Sequence, residues 1–130
     1  MVKFGYTILY VSDVSKSIEF YEKTFDFKRK FVTPENDYGE LETGETTISF
    51  ASKELANSNL KKGFVESNLE NKPFATELGF ITDSVEDILK LAEQNGATIL
   101  EKPYQKPWGQ TVAYARDIDG FLIEICTPIV

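Results

Sequence analysis

Alternating and helically spaced apolar residues divide this chain into short predicted elements. Strands are predicted over residues 4–11, 28–33, 37–42, 46–51, 76–82, 98–101, 111–115 and 121–126, where β-branched and aromatic residues lie between turn residues. After the capping pair Ser12-Asp13, a helix is predicted by apolar residues at helical spacing: Val14, Ile18, Tyr21 and Phe25. After Asp83-Ser84, a second helix is predicted by Val85, Ile88, Leu89 and Ala92, with Asn95-Gly96 as its left-handed end.

The predicted elements repeat in one order, β-α-β-β-β, along the two halves of the chain. The capping pairs, Ser12-Asp13 and Thr82-Asp83, align at the same offset as Ile18 and Ile88. We therefore predict an α+β fold within a single domain of residues 1–130, with module one over 1–52, a linker over 53–74 and module two over 75–130. Each sheet would carry one helix on one face, so two modules side by side would form a curved mixed sheet with a concave cup.

The most informative single residue is Glu124, which interrupts an otherwise apolar strand. Residues 111–115 and 121–126 form a predicted hairpin around the turn 117–120, and the second strand is almost continuously apolar. A carboxylate in such a strand must find a partner, take up a proton or face a water-filled cavity. Pairing with a lysine, with Arg116 or with water is the structural alternative to a role in the cup.

Composition excludes several classes of function. Fourteen Lys and Arg residues against 21 Asp and Glu residues give a net charge of −7, which argues against nucleic acid or an anionic membrane as a partner. The chain has no histidine, which removes Ser-His-Asp and Cys-His nucleophiles and every histidine-containing metal site. With one cysteine, no apolar run long enough to span a membrane and no resemblance to a signal peptide, we expect a cytoplasmic location.

Three segments, residues 9–21, 93–97 and 117–124, resemble the vicinal-oxygen-chelate superfamily, which includes glyoxalase I, bleomycin-resistance proteins, extradiol dioxygenases and fosfomycin-resistance enzymes. The resemblance implies the glyoxalase/bleomycin-resistance fold and places the superfamily's four metal-ligand positions at Tyr6, Ser49, Glu77 and Glu124. Only Glu124 keeps the usual ligand type. Nickel, zinc and iron sites normally use imidazoles, so we predict no metal site and no required cofactor, with Mg or Mn as the alternative.

The resemblance then favours a homodimer that binds a small cationic or aromatic molecule in its cup, as bleomycin-resistance proteins do. Trp108 lies in a Pro-Trp-Gly turn where its indole could stack on a flat ligand or, alternatively, pack against the linker or a partner. The full set of predicted ligand-binding residues is Tyr6, Ser49, Glu77, Tyr104, Trp108, Tyr114 and Glu124.

Two other functions stay open at this point. One is a lyase or isomerase, similar to lactoylglutathione lyase, that acts on a small oxygenated substrate, with Glu124 and Glu77 as catalytic carboxyls or Glu124 as ligand of a hard divalent metal. The other is a structural or regulatory dimer without a ligand. For Glu77 the structural alternative is an exposed position at the start of a strand, and Cys126 is expected to be a buried small apolar residue rather than a nucleophile.

Overall fold

A computed structural model describes residues 1–129 of the chain. It contains eight strands and three helices within this range. In chain order they are β1 (Thr7–Val11), α1 (Val14–Phe25), β2 (Lys28–Val32), β3 (Tyr38–Glu42), β4 (Thr47–Ser52), α2 (Lys53–Asn59), β5 (Leu78–Ile81), α3 (Val85–Gln94), β6 (Thr98–Gln105), β7 (Thr111–Arg116) and β8 (Leu122–Cys126).

The chain divides into two compact units with the same topology, Met1–Glu66 and Ser67–Val130. The first contains a four-stranded sheet of order β1-β4-β3-β2, and the second a sheet of order β5-β8-β7-β6. In each sheet the first strand is parallel to the last strand of the unit, and the remaining pairs are antiparallel. The predicted α+β fold with two β-α-β-β-β modules is confirmed.

Helix α1 begins and ends as its sequence predicts. The side chain of Asp13 caps the first turn by accepting a hydrogen bond from the backbone N–H of Lys16 at 3.2 Å. At the other end, Asp26 takes a left-handed conformation with φ of 59°. The predicted apolar stripe faces the sheet, and Val14, Ile18 and Tyr21 are fully buried. Helix α1 therefore covers one face of the first sheet, and the opposite face is not covered by this helix.

Helix α3 covers the second sheet in the same way, with Val85, Leu89 and Ala92 buried. Its N-terminus differs from the prediction, because Ser84 occupies the capping position but its side chain makes no capping hydrogen bond. Gly96 has a φ of +108°, which confirms the left-handed conformation predicted for the end of this helix.

The bounds of β6, α2, β1 and β5 differ from those predicted. Strand β6 continues to Gln105, whereas a loop was predicted from residue 102, because the strand passes Pro103 through register shifts that relieve the lost ladder bond. Helix α2 covers residues 53–59, where only a helical turn was predicted from residue 55. Strands β1 and β5 begin at Thr7 and Leu78, so Tyr6 and Glu77 both lie just before a strand.

The segment that follows residue 66 is fastened to the second unit by a buried arginine. Arg116, only 5% exposed, donates hydrogen bonds to the backbone carbonyls of Asn68, Asn71 and Gly120 at 2.9, 2.6 and 2.9 Å. The Ser67 hydroxyl also donates to the carbonyl of Asp119. The second half of the predicted linker is therefore bound to the β7–β8 turn.

Candidate functional site

Each sheet has one face covered by its helix and an opposite face that carries polar side chains, which we call the open face. The strand registers place equivalent residues on the two open faces. Ser49 pairs with Ile8 across β4 and β1, and Glu124 pairs with Gly79 across β8 and β5. Tyr6 and Glu77 each precede the paired residue of the first strand by two positions. The two sheets thus place Tyr6 and Glu77, and likewise Ser49 and Glu124, at matching backbone positions.

On the open face of the second unit, Glu124 is half-buried and has a phenol as its partner. Tyr114 lies directly opposite Glu124 on β7, and its hydroxyl donates a hydrogen bond to Glu124 Oε2 at 3.0 Å. Burial first, and then the negative charge of Glu124, raise the pKa of the Tyr114 phenol. Arg116, the alternative partner considered from the sequence, instead binds backbone carbonyls.

Glu77 lies near Tyr114 and Glu124, although it precedes strand β5 and much of it is exposed. Partial burial and then the negative charge of Glu124 raise the pKa of the Glu77 carboxyl, while the nearby hydroxyl of Tyr114 lowers it. Gly79 leaves space beside Glu124, since a Cβ added there would lie 3.6 Å from Glu124 Oε1. We call Glu77, Tyr114 and Glu124 the acidic cluster.

Cys126 borders the acidic cluster and is buried. It follows Glu124 by two positions on β8, is 4% exposed, and its Sγ lies 3.7 Å from the carbonyl oxygen of Phe80. Burial and the nearby charge of Glu124 raise the pKa of the Cys126 thiol. The prediction that Cys126 is a small buried residue is confirmed.

The open face of the first unit carries a more neutral polar group. Tyr38 donates a hydrogen bond to Glu40 Oε2 at 2.7 Å, and Lys30 Nζ lies 3.6 Å from Glu40 Oε1. The Ser49 hydroxyl is buried, makes no hydrogen bond of ordinary geometry among residues 1–129, and lies close enough to Tyr38 to affect its pKa. Burial is the main cause that raises the pKa of Tyr38 to about 12. Tyr6 is 52% exposed.

Sequence reasoning missed Tyr38 and Glu40. Glu40 pairs with Ser49 on β3 as Tyr114 pairs with Glu124 on β7, so it occupies the position equivalent to Tyr114. The alternation of polar and apolar residues along 38–42 contained a signal for both residues, because Tyr38 and Glu40 fall on the face opposite Gly39 and Leu41.

The remaining predicted ligand-binding residues lie on the β6–β7 hairpin of the second unit. Tyr104 pairs with Val112, and it belongs to strand β6 rather than to the predicted loop. Trp108 lies in the turn that joins β6 to β7, where it is 62% exposed, and its indole N–H donates to Gln110 Oε1 at 2.9 Å. The predicted residues thus fall into one set in each unit, Tyr6 and Ser49 in the first and the other five in the second.

The side chains on these open faces are not the ligands that a transition-metal site normally has. Within residues 1–129, no group of three or more His, Cys, Asp or Glu side chains is placed to hold a metal ion. The acidic cluster offers two carboxylates and a phenol, whereas nickel, zinc and iron sites normally include imidazole or thiolate ligands.

Two other surface features bear on possible partners. The basic residues of β2 face carboxylates, with Lys28, Arg29 and Lys30 within 3.6, 3.0 and 3.6 Å of Asp26, Glu22 and Glu40. This basic cluster is therefore neutralised locally. No helix in the described part of the chain has the length and apolar character needed to cross a membrane.

Comparison with known proteins identifies relatives over nearly the whole chain. The family model described as Glyoxalase/Bleomycin resistance protein/Dioxygenase superfamily matches residues 3–125. The protein YraH of Bacillus subtilis is 30% identical over 120 residues, which cover 90% of this chain and 91% of that protein. The virulence protein STM3117 of Salmonella typhimurium is 30% identical over 127 residues, 95% of this chain and 82% of that protein.

Among solved structures, a glyoxalase-related enzyme from Fulvimarina pelagi superposes with a TM-score of 0.82 at 17% identity, over 98% of this chain and 89% of that one. At this level of identity the likeness establishes the fold. The matches to the family model and to YraH extend the relationship to the sequence.

Proposed function

Because the chain belongs to the Glyoxalase/Bleomycin resistance protein/Dioxygenase superfamily, we propose that it binds a small organic cation at the acidic cluster without a transition metal. The observation that supports this proposal is the hydrogen bond from Tyr114 to Glu124, with Glu77 near enough for the charge of Glu124 to raise its pKa. The charge of Glu124 disfavours a negative charge on Glu77, so a cation bound beside them would relieve the repulsion.

The wider charge and the neighbouring rings support the same ligand class. A net charge of −7 attracts cations at long range. Tyr104 lies on β6 opposite Val112, which precedes Tyr114 by two positions on β7 and therefore shares its face of the sheet. An aromatic ring thus borders the acidic cluster, and a cation attached to a flat group would contact both.

Calorimetric titration with benzyltrimethylammonium, a cation that carries an aromatic ring, tests this proposal. We expect saturable binding that Glu124→Gln weakens about three- to tenfold, as the loss of one partly screened charge pair would. Glu93→Gln removes the same charge from an exposed position of helix α3, outside the acidic cluster, and should bind like the unmodified protein. Equal weakening by both substitutions would reduce the effect to net charge and contradict the proposal.

Metal analysis of the purified protein provides a second test. Stoichiometric manganese, nickel or zinc, retained through dialysis against a chelator, would contradict a metal-independent site. The alternative of a hard ion such as Mg or Mn predicts that adding the ion changes the affinity for benzyltrimethylammonium, because both would compete for Glu77 and Glu124.

A second candidate function, proton transfer next to a carbonyl group, is favoured by the raised pKa of Glu77. A carboxylate with a raised pKa is a stronger base and can take a proton from carbon, and Tyr114 could donate a hydrogen bond to the enolate oxygen that forms. Solvent deuterium exchange into hydroxyacetone, followed by NMR, tests this activity. Exchange that disappears in Glu77→Gln and in Glu124→Gln, with the circular dichroism spectrum unchanged, would support an isomerase or lyase.

We also propose that the protein acts as a homodimer in the cytoplasm. Each sheet leaves strands at its edges, β1 and β2 in one unit and β5 and β6 in the other, and such strands can pair with a partner. Light scattering during gel filtration tests the oligomeric state. A monomeric mass at micromolar concentration would contradict the dimer and leave the ligand proposal unaffected.

A further inference from the structure

On the β6–β7 hairpin, the ammonium group of Lys106 lies near two aromatic rings, which we call the aromatic pair. Lys106 Nζ lies 5.0 Å from the ring centroid of Tyr104 and 5.7 Å from that of Trp108. Both distances fall within the range of about 6 Å over which a cation is attracted to an aromatic face. Tyr104 and Trp108 are nevertheless 40% and 62% exposed, so an external molecule can reach both rings.

The two rings are positioned by contacts that do not involve the lysine side chain. Tyr104 is fixed by its place in β6 opposite Val112. The indole of Trp108 donates to the side chain of Gln110, which is 8% exposed and is itself held by a 2.9 Å hydrogen bond to the carbonyl of Thr127. The backbone of Lys106 closes the turn through bonds to Gln110 and Gly109. Removal of the lysine side chain should therefore leave the aromatic pair in place.

We infer that Tyr104 and Trp108 form a binding site for a quaternary ammonium group, and that Lys106 is an internal competitor which occupies this site until a ligand displaces it. The inference rests on the proposed function, because it takes a cation of the same class and adds contacts between its methyl groups and the aromatic pair, of which Tyr104 borders the acidic cluster. It also names a residue that limits affinity.

A quaternary ammonium is the cation best suited to displace Lys106. The primary ammonium of lysine is compact and strongly hydrated, so it gains little by leaving water for an aromatic face that remains partly wet. Methylated ammonium groups present apolar surface around their charge and are the cations that aromatic cages recognise. Tethering gives Lys106 a high local concentration, which makes it an effective competitor despite its weak contact.

The fluorescence of Trp108, the only tryptophan in the chain, reports directly on this site. The experiment titrates choline into the unmodified protein and into Lys106→Ala while the emission of Trp108 is recorded. Because each cation–π contact at an exposed site is weak, removal of the internal competitor should tighten choline binding about three- to sixfold. Binding by Lys106→Ala that is equal to or weaker than that of the unmodified protein overturns the inference.

Two controls separate displacement of Lys106 from a general change in charge. Lys102→Ala removes the same charge from the same hairpin, but Lys102 lines a groove of about 340 Å³ with Leu89 and Ile99 on the helix side, so choline affinity should stay within about twofold. The uncharged isostere 3,3-dimethyl-1-butanol should give no saturable change in emission. Equal binding of the isostere, or equal tightening by Lys102→Ala, overturns the inference.

The two proposals fail in distinguishable ways. If benzyltrimethylammonium binds in a manner that depends on Glu124 but Lys106→Ala does not tighten choline binding, the inference fails and the proposed function stands. If Lys106→Ala tightens choline binding while Glu124→Gln has no effect on calorimetric binding, the acidic cluster is not the site and the aromatic pair is. Circular dichroism of each variant confirms that the fold is retained.

Discussion

Replacement of Arg116 by methionine should destabilise the second unit strongly, although the residue lies outside the proposed sites. Methionine preserves much of the buried apolar stem but removes three hydrogen bonds, to the carbonyls of Asn68, Asn71 and Gly120. A hydrogen bond from a charged group contributes about 1.5–3 kcal/mol, so three contribute at least about 4 kcal/mol. Release and rehydration of the segment around Asn68 offset part of this loss, which leaves an expected decrease of about 3 kcal/mol in the free energy of unfolding.

Urea denaturation followed by far-ultraviolet circular dichroism measures this effect. The matched control is Arg29→Met, which breaks a 3.0 Å contact with Glu22 between side chains that are 38% and 29% exposed. A partly exposed ion pair contributes less than about 1 kcal/mol, so this control should unfold close to the unmodified protein. Limited proteolysis should also cut Arg116→Met faster within residues 67–74, because that segment loses its attachment.

A loss of less than about 1 kcal/mol in Arg116→Met, or a loss equal to that of Arg29→Met, would refute this reasoning. Arg116→Lys refines the test. A lysine keeps the charge but lacks the planar fork that reaches three carbonyls at once, so its stability should fall between those of the unmodified protein and Arg116→Met.

Three further substitutions or reactions test other features. The raised pKa of Glu77 means that the folded state holds the proton more tightly, so stability falls as pH rises through that pKa. Glu77→Gln should therefore gain stability relative to the unmodified protein in urea titrations as the pH rises above the ordinary glutamate value of 4.5, and a constant difference would contradict the shift. Cys126, buried and with a raised thiol pKa, should react with iodoacetamide at neutral pH only after urea denaturation, as mass spectrometry would show. Gly120→Ala should lower the melting temperature by several degrees, because φ is +92° and the added Cβ would lie 2.9 Å from the carbonyl carbon of Asn68; an unchanged melting temperature would contradict this.

The order of elements could be predicted because the apolar pattern and the turn residues agree along most of the chain. The helix stripe from Val14 to Tyr21 and the hairpin around Gly120 are local features, and both are observed. The sequence predicts strand β6 too short because proline is rare inside central strands. Strand β6 lies at the edge of its sheet, and only its pairing with β7 shows that the strand continues past Pro103.

The candidate site could be predicted in part. Glu124 was identified because a charge inside an apolar strand is anomalous in any sequence. Its partner Tyr114 is among the predicted ligand-binding residues. The hydrogen bond between them depends on the register of β7 against β8, which the sequence does not specify. The contacts of Lys106 with two aromatic rings depend on a turn geometry that composition alone does not reveal.

The shared register of the two sheets has a consequence for protein engineering. At matched backbone positions one unit presents Ser49 and Ile8, and the other presents Glu124 and Gly79. The chemistry of each open face is therefore set by a few side chains, while the strands that carry them keep the same arrangement. Moving the carboxylate into the first unit would take two substitutions, Ser49→Glu and Ile8→Gly, and the longer side chain would need a partner at the fully buried Ser49 position.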